Sequence, residues 1–376
     1  MKIAIVCYPT FGGSGVVATE LGLTLANRGH EIHFITYKQP VRLAMLTANL
    51  HFHEVNVPEY PLFHYQPYEL ALSSKLVDVV KQHQIEILHV HYAIPHAYAA
   101  YMAKQMLLDD GIRIPIITTL HGTDITLVGS HPFYKPAVTF SINHSDAVTA
   151  VSQSLKDDTL KEFDIKVPIH VIHNFIDTAS KVRDEQACAR RFDIASPEER
   201  VITHISNFRK IKRIPDVIKV FAKLQAEIPA KLLLVGDGPE RDKAERLVAK
   251  LGIESKVLFL GNSNEIDKIL SISDLFILPS ETESFGLAAL EAMVWGVPVI
   301  SSNVGGLPEI NSDGETGFLS PVADVEDMAE KALRILKDDA TLAGFRAKAK
   351  AQAARFDIHE IVPYYESLYQ EVLCKN

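Results

Sequence analysis

The chain has 376 residues, 47% hydrophobic and 23% charged, with a formal net charge of -9. That length exceeds one ordinary core and suits two domains of a soluble globular enzyme, while the acidic balance argues against a general binder of nucleic acid or anionic membrane. The three cysteines, Cys7, Cys188 and Cys374, are far apart, odd in number and without Cys-x-x-Cys spacing, which argues against a disulfide framework or zinc site and fits a reducing cytoplasm.

The N-terminal run Ile3-Ala4-Ile5-Val6-Cys7 is too short for a secretory leader, and Pro9 soon interrupts it. No apolar stretch approaches bilayer-spanning length. Short apolar runs then alternate with longer amphipathic segments, the pattern of a parallel sheet covered by helices. In the first half, strands are predicted near Ile3–Cys7, Ile32–Thr36, Ile85–Val90, Ile114–Leu120, Ala147–Val151 and Ile169–Ile172. Helices are predicted over Gly15–Arg28, Ala71–His83 and Ala97–Leu108, the first stopped by Gly29. The pattern restarts with strands near Val201–Ile205, Lys231–Val235, Val257–Leu260, Leu275–Leu278 and Val299–Ser301. Helices Pro215–Glu227, Arg241–Leu251 and Gly286–Trp295 fall among them. The start of the polar stretch Phe175–Arg200 reads as a hinge, and the chain closes on an aromatic-rich amphipathic helix, about Asp357–Leu373. The informative motifs sit just past predicted strand ends, where such sheets place their active sites.

The first motif is Gly12-Gly13-Ser14-Gly15 ahead of a helix. Glycines let backbone approach an anion, and a helix N-terminus offers unpaired N–H groups and partial positive charge. The stretch from Gly13 to Ala18 also matches a dinucleotide fingerprint, but its distance from the strand and the absence of an acidic residue after Thr36 argue against a nicotinamide site. The second is Ser206–Arg213, in which four of eight residues are basic; a cationic loop after a strand suits a leaving diphosphate. The third is the turn Gly236-Asp237-Gly238-Pro239. The fourth, Glu283-Ser284-Phe285-Gly286-Leu287-Ala288-Ala289-Leu290-Glu291, sets two glutamates with seven residues between them. Their helical reach is at most about 12 Å, roughly the span from a sugar to a ribose across a diphosphate. The fifth is His121-Gly122-Thr123-Asp124. His89 and His91 share a strand face, but no third metal ligand is evident, and no Asp-x-Asp occurs to bridge a diphosphate through a metal.

Together these segments resemble the family 4 retaining glycosyltransferases, whose GT-B fold is α/β, with two facing Rossmann-like domains, parallel sheets and an interdomain cleft. The resemblance covers nearly the whole chain. It implies an acceptor-binding domain over 1–173, onto which a helix of about 357–376 packs back, and a nucleotide-sugar-binding domain over 174–356. The segments Cys7-Tyr8-Pro9, Gly29–Thr36, Asn49–Val55, His91–Ala97, Thr119–Thr126 and Ser206–Lys210 are most similar to the branch that moves GlcNAc from UDP-GlcNAc to the hydroxyl of L-malate, the first step of bacillithiol biosynthesis.

The resemblance further implies a role for each residue. Glu291 would hold the ribose of UDP. Glu283 and the amides of Phe285, Gly286 and Leu287 would hold the sugar hydroxyls and diphosphate. Asn207 and Lys212 would meet the phosphates, with Gly13 and Gly15 giving the donor backbone access. His121 would lie by the donor sugar; His121, Glu283 and Lys212 form the implied catalytic set. Ser14, Tyr92 and Thr119 would line the malate site. Where some relatives carry an arginine to clamp an acceptor carboxylate, this chain has Thr139. No metal or cofactor beyond the donor substrate is implied, the partners are UDP-GlcNAc and L-malate, and a homo-oligomer is left open. The rival readings are a family 4 transferase with a lipid or polysaccharide acceptor, a UDP-sugar epimerase, and a UDP-sugar-binding protein without turnover. Only Lys38 and Arg42 stand out as cations near the N-terminal surface, whereas membrane acceptors go with basic or amphipathic ones.

Overall fold

The alternation of apolar runs and amphipathic segments is realised as two parallel sheets. The structure, a computed structural model, describes residues 1–10, 13–40, 43, 48–59, 64–181, 191 and 193–375. The predicted sites at Gly12, Arg42 and Cys188 lie outside the described residues. The chain divides into two units: Met1–Phe175 together with the segment from Ile358, and Ile176–Asp357.

The first unit holds seven strands: β1 Lys2–Val6, β2 Glu31–Thr36, β3 Leu50–Glu54, β4 Ile87–His91, β5 Ile116–Leu120, β6 Ala147–Ala150 and β7 Ile169–Val171. They lie in the order β3-β2-β1-β4-β5-β6-β7 with parallel pairing. Every residue of β4, β5 and β6 is buried, as expected of strands covered by helices on both faces. The helix Tyr68–His83 explains one covering layer: Leu72, Leu76, Val79 and Val80 recur at helical spacing and pack with Leu88, Val90, Ala103 and Leu107.

The C-terminal helix Ile358–Lys375 belongs to this unit. It buries Tyr365 and Tyr369 completely, and the Tyr369 hydroxyl lies 2.8 Å from His89 Nδ1. At its exposed side Arg28 donates to Glu366 at 2.7 Å, with His30 Nε2 3.0 Å from the other carboxylate oxygen.

The second unit repeats the plan. Its strands are β8 Arg200–Ile205, β9 Ala230–Val235, β10 Val257–Gly261, β11 Leu275–Leu278, β12 Val299–Ser302 and β13 Gly317–Ser320, ordered β10-β9-β8-β11-β12-β13. Helix Ile214–Glu227 presents Val217, Val220, Phe221 and Leu224 to the core, and Val325–Leu336 presents Met328, Ala332, Ile335 and Leu336. Asp324 and Asp338 start the last two helices of this unit, each accepting a backbone N–H three residues on.

Strand order reverses direction twice, between β1 and β4 and between β8 and β11. Each reversal opens a crevice at the carboxyl ends of the flanking strands, the place where open α/β sheets bind ligands. Elements absent from the sequence reading are β3, β13 and helices such as Lys135–Asn143, Gln153–Glu162 and Asp339–Ala354. β3 reads His-Phe-His-Glu on its exposed edge, so its polar alternation hides it from a search for apolar runs.

Candidate active site

In the first unit the site is built on the loops that leave β1 and β4. The helix Ser14–Asn27 begins after Gly13, whose φ of +60° turns the backbone into the first turn. Gly15 is packed so tightly that an added Cβ would sit 2.6 Å from the Tyr8 carbonyl oxygen. The helix start is thereby pinned against the end of β1. From it the Ser14 hydroxyl meets the Tyr92 hydroxyl at 2.5 Å. Tyr92 directly follows β4, so this bond bridges the switch point.

Tyr92 holds φ +85°, a left-handed conformation that costs a non-glycine residue roughly 1–3 kcal/mol. Its N–H donates to the Thr119 carbonyl at 2.9 Å, which fixes that backbone. Burial pushes its phenol up to about 12, against the lowering effect of the Ser14 bond, so the hydroxyl keeps its proton at neutral pH.

A histidine stack lies behind it. His91 Nδ1 and His121 Nε2 are 2.8 Å apart, and the His121 ring centroid is 5.0 Å from that of Tyr92. Burial, then the nearby His89 and His96, pulls His121 down to about 3, so it is a neutral imidazole in the working range of pH. Asp124 orders the surrounding loops: its carboxylate accepts from Ala93 N–H at 2.9 Å, Gly122 N–H at 3.0 Å and His121 N–H at 3.2 Å. Burial raises its pKa, and those backbone donors oppose the rise.

Thr119 lies deeper than a residue lining the acceptor site would. Thr119 is fully buried, and its hydroxyl bonds to His89 Nε2 at 2.8 Å and Thr149 Oγ1 at 2.7 Å, so its side chain lines no surface. It supports Tyr92 through its carbonyl instead. His89, which shares a strand face with His91, engages Thr119 and Tyr369 through its two ring nitrogens and belongs to a hydrogen-bonded core. Thr139 stands on helix Lys135–Asn143 with its hydroxyl bonded to the Lys135 carbonyl, beside a surface groove lined by Phe140 and His144.

In the second unit the equivalent loops leave β8 and β11. The basic loop runs from Ser206 to Arg213, and the acidic one from Ser280 to Gly286. Lys212 forms an ion pair with Glu283, and both side chains are mostly covered, at 18% and 13% exposure. Glu283 also accepts from Ser280 Oγ at 3.0 Å. Arg213 pairs with Glu281 and Asp216 at 2.6 Å each, and Glu281 N–H donates to the Ile211 carbonyl at 2.8 Å. The two loops are thus laced together across the β8/β11 switch point. Arg213 is a structural cation here, while Arg209 and Lys210 are exposed.

The Gly236–Pro239 turn braces the same loop. Phe208 N–H donates to the Asp237 carbonyl at 2.9 Å, and Glu240 N–H to the Phe208 carbonyl at 2.8 Å. Asn207 stays exposed beside them. Helix Leu287–Val294 starts after Gly286, at φ +97°; its first bonds run from Ala289 and Leu290 to the Gly286 carbonyl, so the amides of Gly286 and Leu287 precede the helical ladder. Phe285 is buried below, and Glu291 lies half-buried within the helix.

Gly305 and Gly306 escaped the sequence reading. Gly306 N–H donates to the Glu283 carbonyl at 2.9 Å, and a Cβ on Gly305 would lie 1.9 Å from that oxygen. The signal was present as a Gly-Gly pair soon after a predicted strand.

The residues singled out from the sequence divide between the two units. Ser14, Tyr92 and His121 gather in the first, and Asn207, Lys212, Glu283 and the Phe285–Glu291 segment belong to the second. Two Rossmann-like units, each with polar side chains joined across its switch point, define the GT-B class. Two family models divide the chain: Glycosyltransferase Family 4 matches residues 11–180 and Glycosyl transferases group 1 matches residues 189–353. An N-acetyl-alpha-D-glucosaminyl L-malate synthase of Bacillus anthracis is 48% identical over 99% of this chain and 97% of its own length. A sulfoquinovosyl transferase of Arabidopsis thaliana is 26% identical over 89% of this chain and 65% of its own. Anabaena HepE, solved with UDP and glucose, superposes with a TM-score of 0.82 at 20% identity, covering 98% of this chain and 99% of that one. The sucrose-phosphate synthase of Thermosynechococcus elongatus gives 0.80 at 22% identity over 100% of both chains. At such identities the solved structures speak to the fold. The chain belongs to glycosyltransferase family 4.

Proposed function

We propose that the chain transfers GlcNAc from UDP-GlcNAc to the hydroxyl of L-malate with retention of anomeric configuration, the opening step of bacillithiol biosynthesis. The observation that carries the choice of substrates is the 48% identity to the malate synthase along almost the entire chain. Lys212, held beside Glu283 near the helix start after Gly286, supports a diphosphate donor on the second unit.

On this reading Glu291 takes the ribose hydroxyls, and the amides of Phe285, Gly286 and Leu287 take the diphosphate at a helix start. Lys212 and Asn207 neutralise and orient the phosphates. Lys212 exchanges its Glu283 partner for the more highly charged diphosphate, which frees Glu283 for sugar hydroxyls. Gly13 and Gly15 hold the backbone close to the donor. Ser14 and Tyr92 address malate, Thr119 fixes Tyr92 from behind, and neutral His121 hydrogen-bonds the transferring sugar. The bond from C1 to the β-phosphate oxygen breaks as the malate oxygen bonds to C1 on the same face. The malate hydroxyl proton passes to the departing phosphate. The protein supplies orientation and charge stabilisation, and no step on this reading needs a metal.

The deciding experiment is mass spectrometry of products from UDP-GlcNAc and L-malate, with and without chelator. GlcNAc-malate and UDP in equal amounts under both conditions are expected. UDP-sugar isomerisation without malate, or product only with another hydroxyl acceptor, would overturn the assignment.

A further inference from the structure

We propose that His33, His53 and His83 form a zinc-binding site at the β2/β3 edge of the first unit, with Glu31 as the carboxylate that orients His33. No step of the transfer uses these residues.

Three elements converge there. Glu31 and His33 alternate on β2, and His51 and His53 on β3, so the strand period sets all four on one face. His83 ends the helix Tyr68–His83 above them. One ligand atom from each of His33, His53 and His83 lies within 4.8 Å of the others. His33 Nδ1 and His53 Nε2 are already 2.9 Å apart. Zinc–nitrogen bonds of about 2.0–2.1 Å in a tetrahedron place ligand atoms roughly 3.3 Å apart, so side-chain rotations of about an ångström complete the set.

A carboxylate backs the first of the three histidines. His33 Nε2 lies 3.1 Å from Glu31 Oε1, the carboxylate–histidine arrangement that fixes the tautomer and leaves Nδ1 facing the ion. The 2.9 Å contact between His33 Nδ1 and His53 Nε2 is a hydrogen bond between the two rings, which zinc would replace with release of its proton. His51 stacks on His33 with centroids 4.4 Å apart and places Nε2 3.7 Å from Glu31. Lys2 engages the other Glu31 oxygen at 3.4 Å and donates to the His83 carbonyl at 3.1 Å. Nitrogen-only ligands of this kind suit zinc over magnesium or calcium. The partly exposed side of the cluster leaves room for water as fourth ligand.

The test uses tag-free full-length protein, stripped with chelator and titrated with zinc chloride at pH 7.5 against a competing chromophoric chelator. One equivalent is expected to bind, with a zinc-dependent rise in Tm. His53→Gln and His83→Gln should each weaken zinc binding at least tenfold and abolish the Tm rise, and Glu31→Gln should weaken it roughly tenfold. His83 stands at a helix end, so His83→Gln leaves the core intact and reports even if the strand variants fold poorly. Failure of wild type to bind zinc, or unchanged binding in His83→Gln, overturns the site.

Discussion

Lys212 and Glu283 neutralise each other across the β8/β11 crevice, yet the same lysine is assigned to the leaving group. The two roles fit together because a pair with few competing partners can be traded for a diphosphate of higher charge. Lys212→Met removes the cation that meets the developing anion, so kcat/KM for UDP-GlcNAc is expected to fall roughly tenfold or more. Wild-type kcat/KM in that variant would refute the role. Tyr92→Phe tests the other half. It keeps the ring against His121 and deletes the hydroxyl that meets Ser14 at 2.5 Å. One hydrogen bond is worth about 0.5–1.5 kcal/mol, so KM for malate should rise about two- to tenfold with KM for UDP-GlcNAc unchanged. An equal rise in both constants would detach Tyr92 from the acceptor.

The Glu283 loop depends on a neighbouring element with no chemistry of its own. Gly305 follows β12 at φ +55°, and its missing side chain lets the Glu283 carbonyl approach. Gly305→Ala must both strain the backbone and push that carbonyl away. Destabilisation of roughly 1–3 kcal/mol is expected from overpacking and strain. Activity should fall further than the fraction unfolded explains, because the displaced segment carries Glu283. Thermal melting and kcat measured on the same preparation separate the two effects; full specific activity in the folded fraction would show that the loop tolerates displacement.

At the scale of the molecule, the first unit buries a set of neutral histidines around β4. Burial lowers His89 and His121 to about 3 and His96 to about 4, and puts His91 well below its usual value. An unfolded chain protonates these rings near the ordinary value of about 6.5, while the native state refuses the proton until far lower pH. The unfolded state therefore binds more protons as pH falls below about 6.5, and stability drops through the window down to about 4. Glu366 acts in the same direction: Arg28 holds its carboxylate below the usual range, and that contribution fades on acidification. Urea midpoints should decline from pH 7 to pH 5, and a flat or rising profile would contradict the linkage. Among the described residues, no helix is long and apolar enough to cross a membrane.

The repeated βαβ rhythm and the residues past strand ends were legible because apolar periodicity and chain order survive in one dimension. The Glu283–Glu291 spacing and the basic loop holding Lys212 stand out that way, whereas Tyr92 was named only through likeness to a known family. β3 was not legible, since its polar alternation of histidines takes its meaning only from pairing with β2. Thr119 was named as a site residue through the family likeness, but strand pairing turns its hydroxyl into the core towards Thr149. The bridges Ser14–Tyr92 and Lys212–Glu283 join residues 78 and 71 positions apart. Such contacts exist only once the sheet reverses its strand order and brings two distant loops to one crevice. Local sequence sets which backbone each segment prefers; the pairing of distant strands decides which side chains meet.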